Sequence, residues 1–144
     1  MPKVTMSTPV AMNADALWQA MGSFAAIGDW HPMVERVESK GEQKGSVRTL
    51  HLIGGAKLVE RLEDISPRER LYRYSITDSP LPISNYVSEI RVKDNGDGTS
   101  TVEWSSDFTV NTASATGEND VVKTFQEVYK AGLDNLSRLY SLKR

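Results

Sequence analysis

Apolar positions recur at spacings of three and four near the end of the chain. Val122, Phe125, Tyr129, Leu133, Leu136 and Tyr140 follow this rhythm, which places them on one face of a single long helix over about 119–142. Asn119 and Asp120 stand where they can cap its start, and Arg138, Lys143 and Arg144 suit the negative end of its dipole. At roughly 1.5 Å per residue, such a helix crosses a small domain.

Earlier in the chain the rhythm is alternation. Val4 and Met6 alternate with Thr5 and Ser7 over 3–10, a first strand. Asn13 can cap a short helix running through Met21, with Ala16, Leu17 and Ala20 as its apolar positions. A second helical turn or two over 24–27 is ended by Gly28, Asp29 and Pro32, and an edge strand follows over 33–39. Arg48, Leu50 and Leu52 share a face over 45–53, and Gly54-Gly55 turns the chain. Leu58, Glu60 and Leu62 share a face of the next strand, to about residue 65, and Tyr72, Tyr74 and Ile76 a face of the one after the turn at 66–69. Two prolines make 78–82 a loop of unusual apolarity. Tyr86, Ser88, Ile90 and Val92 alternate again, residues 95–98 give a strong hairpin signal, and Val102, Trp104, Ser106 and Phe108 line one face over 101–110. Small polar residues over 111–117 connect to the long helix. One strand, two short helices, about six strands and a long helix predict an α+β fold, a single domain over 1–144 in which an antiparallel sheet wraps one amphipathic helix.

Composition narrows the functional classes. A net charge of -2 gives no basic field for nucleic acid or acidic membranes. The absence of cysteine removes disulfides, thiolate nucleophiles and cysteine metal sites. No run approaches the ~20 apolar residues of a membrane span, and residues 1–10 lack a signal-peptide core. The expectation is a soluble cytoplasmic protein with no membrane insertion. His31 and His51 are the only histidines and have no metal-ligand spacing; no Gly-x-Ser-x-Gly turn or phosphate-cradling glycine motif is present, so no metal or cofactor is expected.

Two charges break apolar strand faces. Arg48 sits with Leu50 and Leu52, and Glu60 between Leu58 and Leu62, on strands joined by the Gly54-Gly55 turn. Pairing outward from that turn sets them opposite or diagonal, so they are expected to meet, because a buried lone charge is expensive. The pair reads as a structural ion pair, as a polar anchor for a ligand, or as the setting of a general acid–base in Glu60. The aromatic set of Trp30, Tyr72, Tyr74, Tyr86, Trp104, Phe125 and Tyr129 carries polar tips that suit a wet or ligand-filled cavity, expected to reach at least about 300 Å³. His51 alternates onto the outer surface, and His31 is placed to reach the cavity mouth.

Asp29-Trp30-His31-Pro32, Gly45-Ser46-Val47-Arg48, Glu60-Arg61-Leu62, Tyr72-Arg73-Tyr74-Ser75-Ile76, Asn85-Tyr86 and Val102-Glu103-Trp104, in this order over nearly the whole chain, resemble the START-like, Bet v 1-like superfamily and within it the bacterial polyketide cyclase/dehydrase-type (SRPBCC) proteins. The resemblance implies a helix-grip fold, a seven-stranded antiparallel sheet gripping the C-terminal helix around a hydrophobic cavity. The stretch 60–86 is also similar to plant abscisic-acid receptors. That likeness puts Gly54-Gly55 at the gate, 81–86 at the latch, and Arg48, Glu60, Tyr74, Tyr86 and Ser88 on or near the pocket. The gate is shortened to Gly54-Gly55-Ala56, the latch lacks its His-Arg pair, and Trp30 or His31 stands where the carboxylate-binding lysine belongs, so hormone reception is not carried over.

The first functional reading is binding of a small hydrophobic or aromatic molecule by Trp30, Arg48, Leu50, Leu52, Glu60, Tyr72, Tyr74, Leu81, Tyr86, Ser88, Trp104, Phe125, Tyr129 and Leu133. The Gly54-Gly55 turn and the 79–83 loop are expected to flank the entrance, with Leu81 and Ile83 supplying apolar surface. The second is a polyketide cyclase, aromatase or dehydratase in which Glu60, Tyr74 or His31 moves protons. The third is a co-chaperone-like interaction module, which predicts a filled or closed cavity and an exposed apolar patch.

Overall fold

The computed structural model describes residues 2–111 and 117–141. Seven strands appear: β1 Lys3–Val10, β2 Val34–Ser39, β3 Val47–Leu52, β4 Lys57–Ser66, β5 Leu71–Asp78, β6 Ile83–Asp94 and β7 Ser100–Val110. The helices are α1 Ala14–Met21, α2 Ile27–Trp30, entered through a 3-10 turn at Phe24–Ala26, and α3 Glu118–Tyr140. The strands form one antiparallel sheet in the order β1-β7-β6-β5-β4-β3-β2, so β2 is an edge strand as its sequence position suggests. This sheet and α3 make the helix-grip arrangement.

Alternation builds one inner face. Register sets Arg48 opposite Glu60, Leu62 opposite Tyr74, Tyr74 opposite Ser88, and Ile90 opposite Trp104. Register shifts at Val59/Glu60 and Leu62/Asp64 in β4–β5, and at Ser84/Val87 in β6–β7, curve the sheet around the helix. Asn85 sits in the last of these with φ 56, a left-handed conformation that asparagine tolerates better than most residues, and Tyr86 beside it turns inward. The hairpin between β6 and β7 has Gly96 and Gly98 at φ 85 and 86, as its sequence requires.

Helix α3 buries Val121, Phe125, Tyr129, Gly132, Leu133 and Leu136 and packs along β1 and β7. The buried residue of its first turn is Val121; Val122 is half-buried, as is Tyr140 at the far end. The N-cap is Gly117 and makes no side-chain bond; Asn119 and Asp120 lie inside the first turn, where Asp120 and Glu118 favour the helix dipole. Arg138 is in the last turn, as expected, whereas Lys143 and Arg144 fall outside the described residues, as does most of the 111–117 connection. Asn13 caps α1 by accepting from the Ala16 N–H at 2.9 Å, but the buried positions of α1 are Ala14, Leu17 and Met21, one turn-face away from Ala16 and Ala20. Gly28 and Asp29 lie within α2, which stops at His31 before Pro32. Among the described residues no helix is long and apolar enough to cross a membrane.

Candidate functional site

A cavity of about 240 Å³ lies between the inner face of the sheet and α3. Leu50, Leu52, Leu58, Glu60, Tyr74, Ile76, Tyr86 and Trp104 form its sheet wall, and Thr124, Phe125, Val128 and Tyr129 its helix wall. Ile27, His31, Met33 and Val34 close one side, and Ala56, Pro80 and Leu81 stand at the loops. The volume falls short of the expected 300 Å³. The tips of Tyr74, Tyr86, Trp104 and Tyr129, read from sequence as needing water or ligand, bond within the protein instead, whereas the Trp30 Nε1–H is buried without a partner among the described residues. Tyr86 and Tyr129 join hydroxyl to hydroxyl, and Trp104 Nε1 donates to Tyr74 Oη at 3.1 Å and Ser88 Oγ at 3.0 Å. Trp104 stacks on Tyr129 with centroids 4.2 Å apart, which fills the inner end with packed rings.

Arg48 and Glu60 form the buried pair. Arg48 Nε donates to Glu60 Oε1 at 2.8 Å, and Nη2 lies 2.7 Å from the same oxygen. Nη1 donates to the Phe24 carbonyl at 2.6 Å and to Tyr72 Oη at 3.3 Å. The guanidinium carbon is 4.1 Å from the centre of the Phe24 ring and 4.8 Å from that of Tyr74, a cation–π box around a fully buried charge. Burial pushes the Glu60 carboxyl above its ordinary value, with Arg48 pulling it back. Burial also pushes Tyr74 and Tyr86 well up, and Tyr129 up to about 12, so their hydroxyls stay protonated.

His31 is a buried pin. Its Nδ1 accepts the Met33 N–H at 3.1 Å, which leaves Nε2 to carry the proton and donate to the Val128 carbonyl at 2.9 Å. Burial lowers its pKa to about 4, so the ring is neutral at ordinary pH. Gly132 makes room for it: a Cβ there would lie 2.6 Å from His31 Cδ2 and 3.1 Å from Trp104 Cζ3. With both ring nitrogens engaged, His31 ties α2, β2 and α3 together and holds no proton free for a ligand.

Of the sequence-predicted binding residues, Leu50, Leu52, Glu60, Tyr74, Leu81, Tyr86, Trp104, Phe125 and Tyr129 line the cavity, with His31. Trp30, Arg48, Tyr72, Ser88 and Leu133 are buried but are not in its wall. Arg48 and Tyr72 lie behind Glu60 and Tyr74, under Phe24 and Trp18; Trp30 packs edge-on to Trp104; Ser88 turns its hydroxyl to the Ser105 carbonyl at 2.8 Å. Leu133 is one turn past Tyr129 along α3. Ile83 packs on the core without reaching the wall, and Gly54 and Gly55, at φ 99 and 97, form the turn beside Ala56. His51 is on the outer face of β3, 2.5 Å from Glu38 Oε1. Residues missed by the sequence reading include Val128 and Thr124; Val128 follows Phe125 by three, a helical-face spacing that was available.

Several solved structures share this architecture. XoxI from Bacillus cereus is 32% identical with a TM-score of 0.89, over 97% of this chain and 96% of that one. A norcoclaurine synthase from Thalictrum, in complex with a transition-state analogue, is 18% identical with a TM-score of 0.73, over 96% of this chain and 93% of that one, and shares the fold. So does the di-domain ARO/CYC protein BexL of the BE-7585A biosynthetic pathway, 13% identical with a TM-score of 0.81, of which the alignment covers 46% against 96% of this chain. None of the curated proteins matches the sequence. The family described as polyketide cyclase/dehydrase and lipid transport matches residues 1–140, and with that match over the whole helix-grip domain, the chain belongs to this family.

Proposed function

We propose that this protein binds a compact, largely apolar aromatic molecule between the sheet and α3. The observation that carries this reading is the cavity itself, about 240 Å³ with walls of leucine, isoleucine, valine and aromatic rings. A dry apolar cavity of about 150 Å³ suffices for benzene, so this volume suits one or two fused rings. Apolar walls with a few placed polar groups are the usual composition of a ligand pocket. The norcoclaurine synthase structure, which holds a transition-state analogue in the same fold, supports the reading by analogy. The third reading, an interaction module, predicts a filled or closed cavity and an exposed apolar patch, and the open cavity weighs against it.

Isothermal titration with indole or naphthalene tests the proposal. Saturable binding with a negative heat-capacity change is expected, and Val128→Trp, which fills the helix wall, should abolish it. Absence of binding to the wild type, or equal binding to the filled variant, contradicts it.

A second reading is favoured by one observation: Glu60 lies in the wall, and burial raises its pKa toward the range useful for proton transfer. In that reading the cavity folds a reactive polyketide and Glu60 moves a proton. Turnover of a polyketide substrate analogue, lost in Glu60→Gln, supports it; binding without turnover leaves the first reading standing alone.

A further inference from the structure

Each hydroxyl and ring nitrogen among the side chains of the cavity wall takes part in a hydrogen bond within the protein. His31 uses both ring nitrogens, the Tyr86 and Tyr129 hydroxyls pair with each other, and Tyr74 Oη accepts from Trp104. Thr124 donates to the Asp120 carbonyl at 2.9 Å. Glu60 is different. Its Oε1 takes both contacts from Arg48, at 2.8 and 2.7 Å, and among the described residues Oε2 accepts no hydrogen bond. Arg48 is kept from the cavity. Its side chain is fully buried, its Nη1 is spent on the Phe24 carbonyl at 2.6 Å, and Phe24 covers its face. The positive charge is therefore sealed in the protein, and the cavity meets a carboxylate oxygen with spare lone pairs.

An acceptor without a donor in an apolar chamber discriminates strongly between ligands, because it rewards a donor and leaves anything else with an unpaired oxygen. We infer that the cavity selects a compact aromatic molecule carrying an N–H or O–H donor, bonded to Glu60 Oε2, and that it rejects aromatic carboxylates. This rests on the reading of the cavity as a ligand site. A carboxylate would face Glu60 with like charge in an apolar chamber; a bare hydrocarbon would fit but leave Oε2 unpaired. A hydrogen bond to a charged partner is sufficient for a preference of roughly ten- to a hundredfold.

The test is a matched series of naphthalene, 2-naphthol and 2-naphthoate, titrated near neutral pH, where the naphthol is neutral and the naphthoate ionised. The expected order is naphthol tightest, naphthalene about ten- to a hundredfold weaker, and naphthoate weakest. In Arg48→Met/Glu60→Gln, which removes both charges together, the advantage of naphthol over naphthalene should shrink and naphthoate should gain. Naphthalene binding as tightly as naphthol, or naphthoate binding best, overturns the inference and leaves the cavity reading intact. A naphthol preference unchanged in a folded double variant overturns it equally. Binding of none of the three overturns the cavity reading and the inference with it. If the double variant does not fold, the wild-type order decides alone.

Discussion

Arg48 and Glu60 stand directly opposite each other on β3 and β4, joined by a 2.8 Å hydrogen bond in a fully buried setting. Two opposed charges in the core stabilise little in total, because desolvation offsets most of their attraction; removing one alone leaves the other uncompensated. Arg48→Met or Glu60→Gln is expected to cost about 3–5 kcal/mol in denaturant unfolding. Arg48→Met/Glu60→Gln should recover much of that loss. Singles that match the wild type would contradict the buried pairing.

Burial lowers the His31 pKa from 6.5 to about 4. The unfolded chain therefore binds a proton between these values that the folded chain does not, and stability falls as pH drops through that window. The full difference is about 3 kcal/mol, at about 1.4 kcal/mol per pH unit. Glu60, raised by burial, acts with the opposite sign, its contribution being lost as pH rises above the ordinary carboxylate range. Comparison with His31→Gln isolates the histidine: between pH 6.5 and 4 the wild type should lose about 3 kcal/mol more than the variant. Parallel curves would place His31 in water.

Alanine in place of a mid-helix glycine ordinarily stabilises by about 1 kcal/mol. At Gly132 the sign should reverse, since a Cβ would come within 2.6 Å of His31 Cδ2 and 2.9 Å of Nε2, a ring that is pinned at both nitrogens. Gly132→Ala is expected to destabilise by about 1–3 kcal/mol, the range for overpacking. A raised midpoint in chemical unfolding would show that the ring can give way.

Much of this arrangement is legible in the sequence, because alternation and turn chemistry are local. The period of two assigned Arg48, Leu50, Glu60, Tyr74 and Trp104 to one face, and the glycine turn set Arg48 against Glu60. What is not legible is settled by contacts between distant residues. The burial of Val121 rather than Val122 is a rotation of about 100° about the helix axis, fixed by packing on β1 and β7. The cavity is smaller than expected because Tyr86 and Tyr129, 43 residues apart, satisfy each other. His31 is locked by a carbonyl 97 residues away, which no local pattern announces.

The central claim is that an apolar molecule occupies the space between the sheet and α3, and methyl-resolved NMR during titration with naphthalene tests it most directly. The account predicts saturable shifts of the Leu50, Leu58, Ile76, Leu81 and Val128 methyls, all in the cavity wall, with the exposed Val47 and Val87 unmoved. Shifts spread over Val47 and Val87, or none in the wall at saturating ligand, would contradict it.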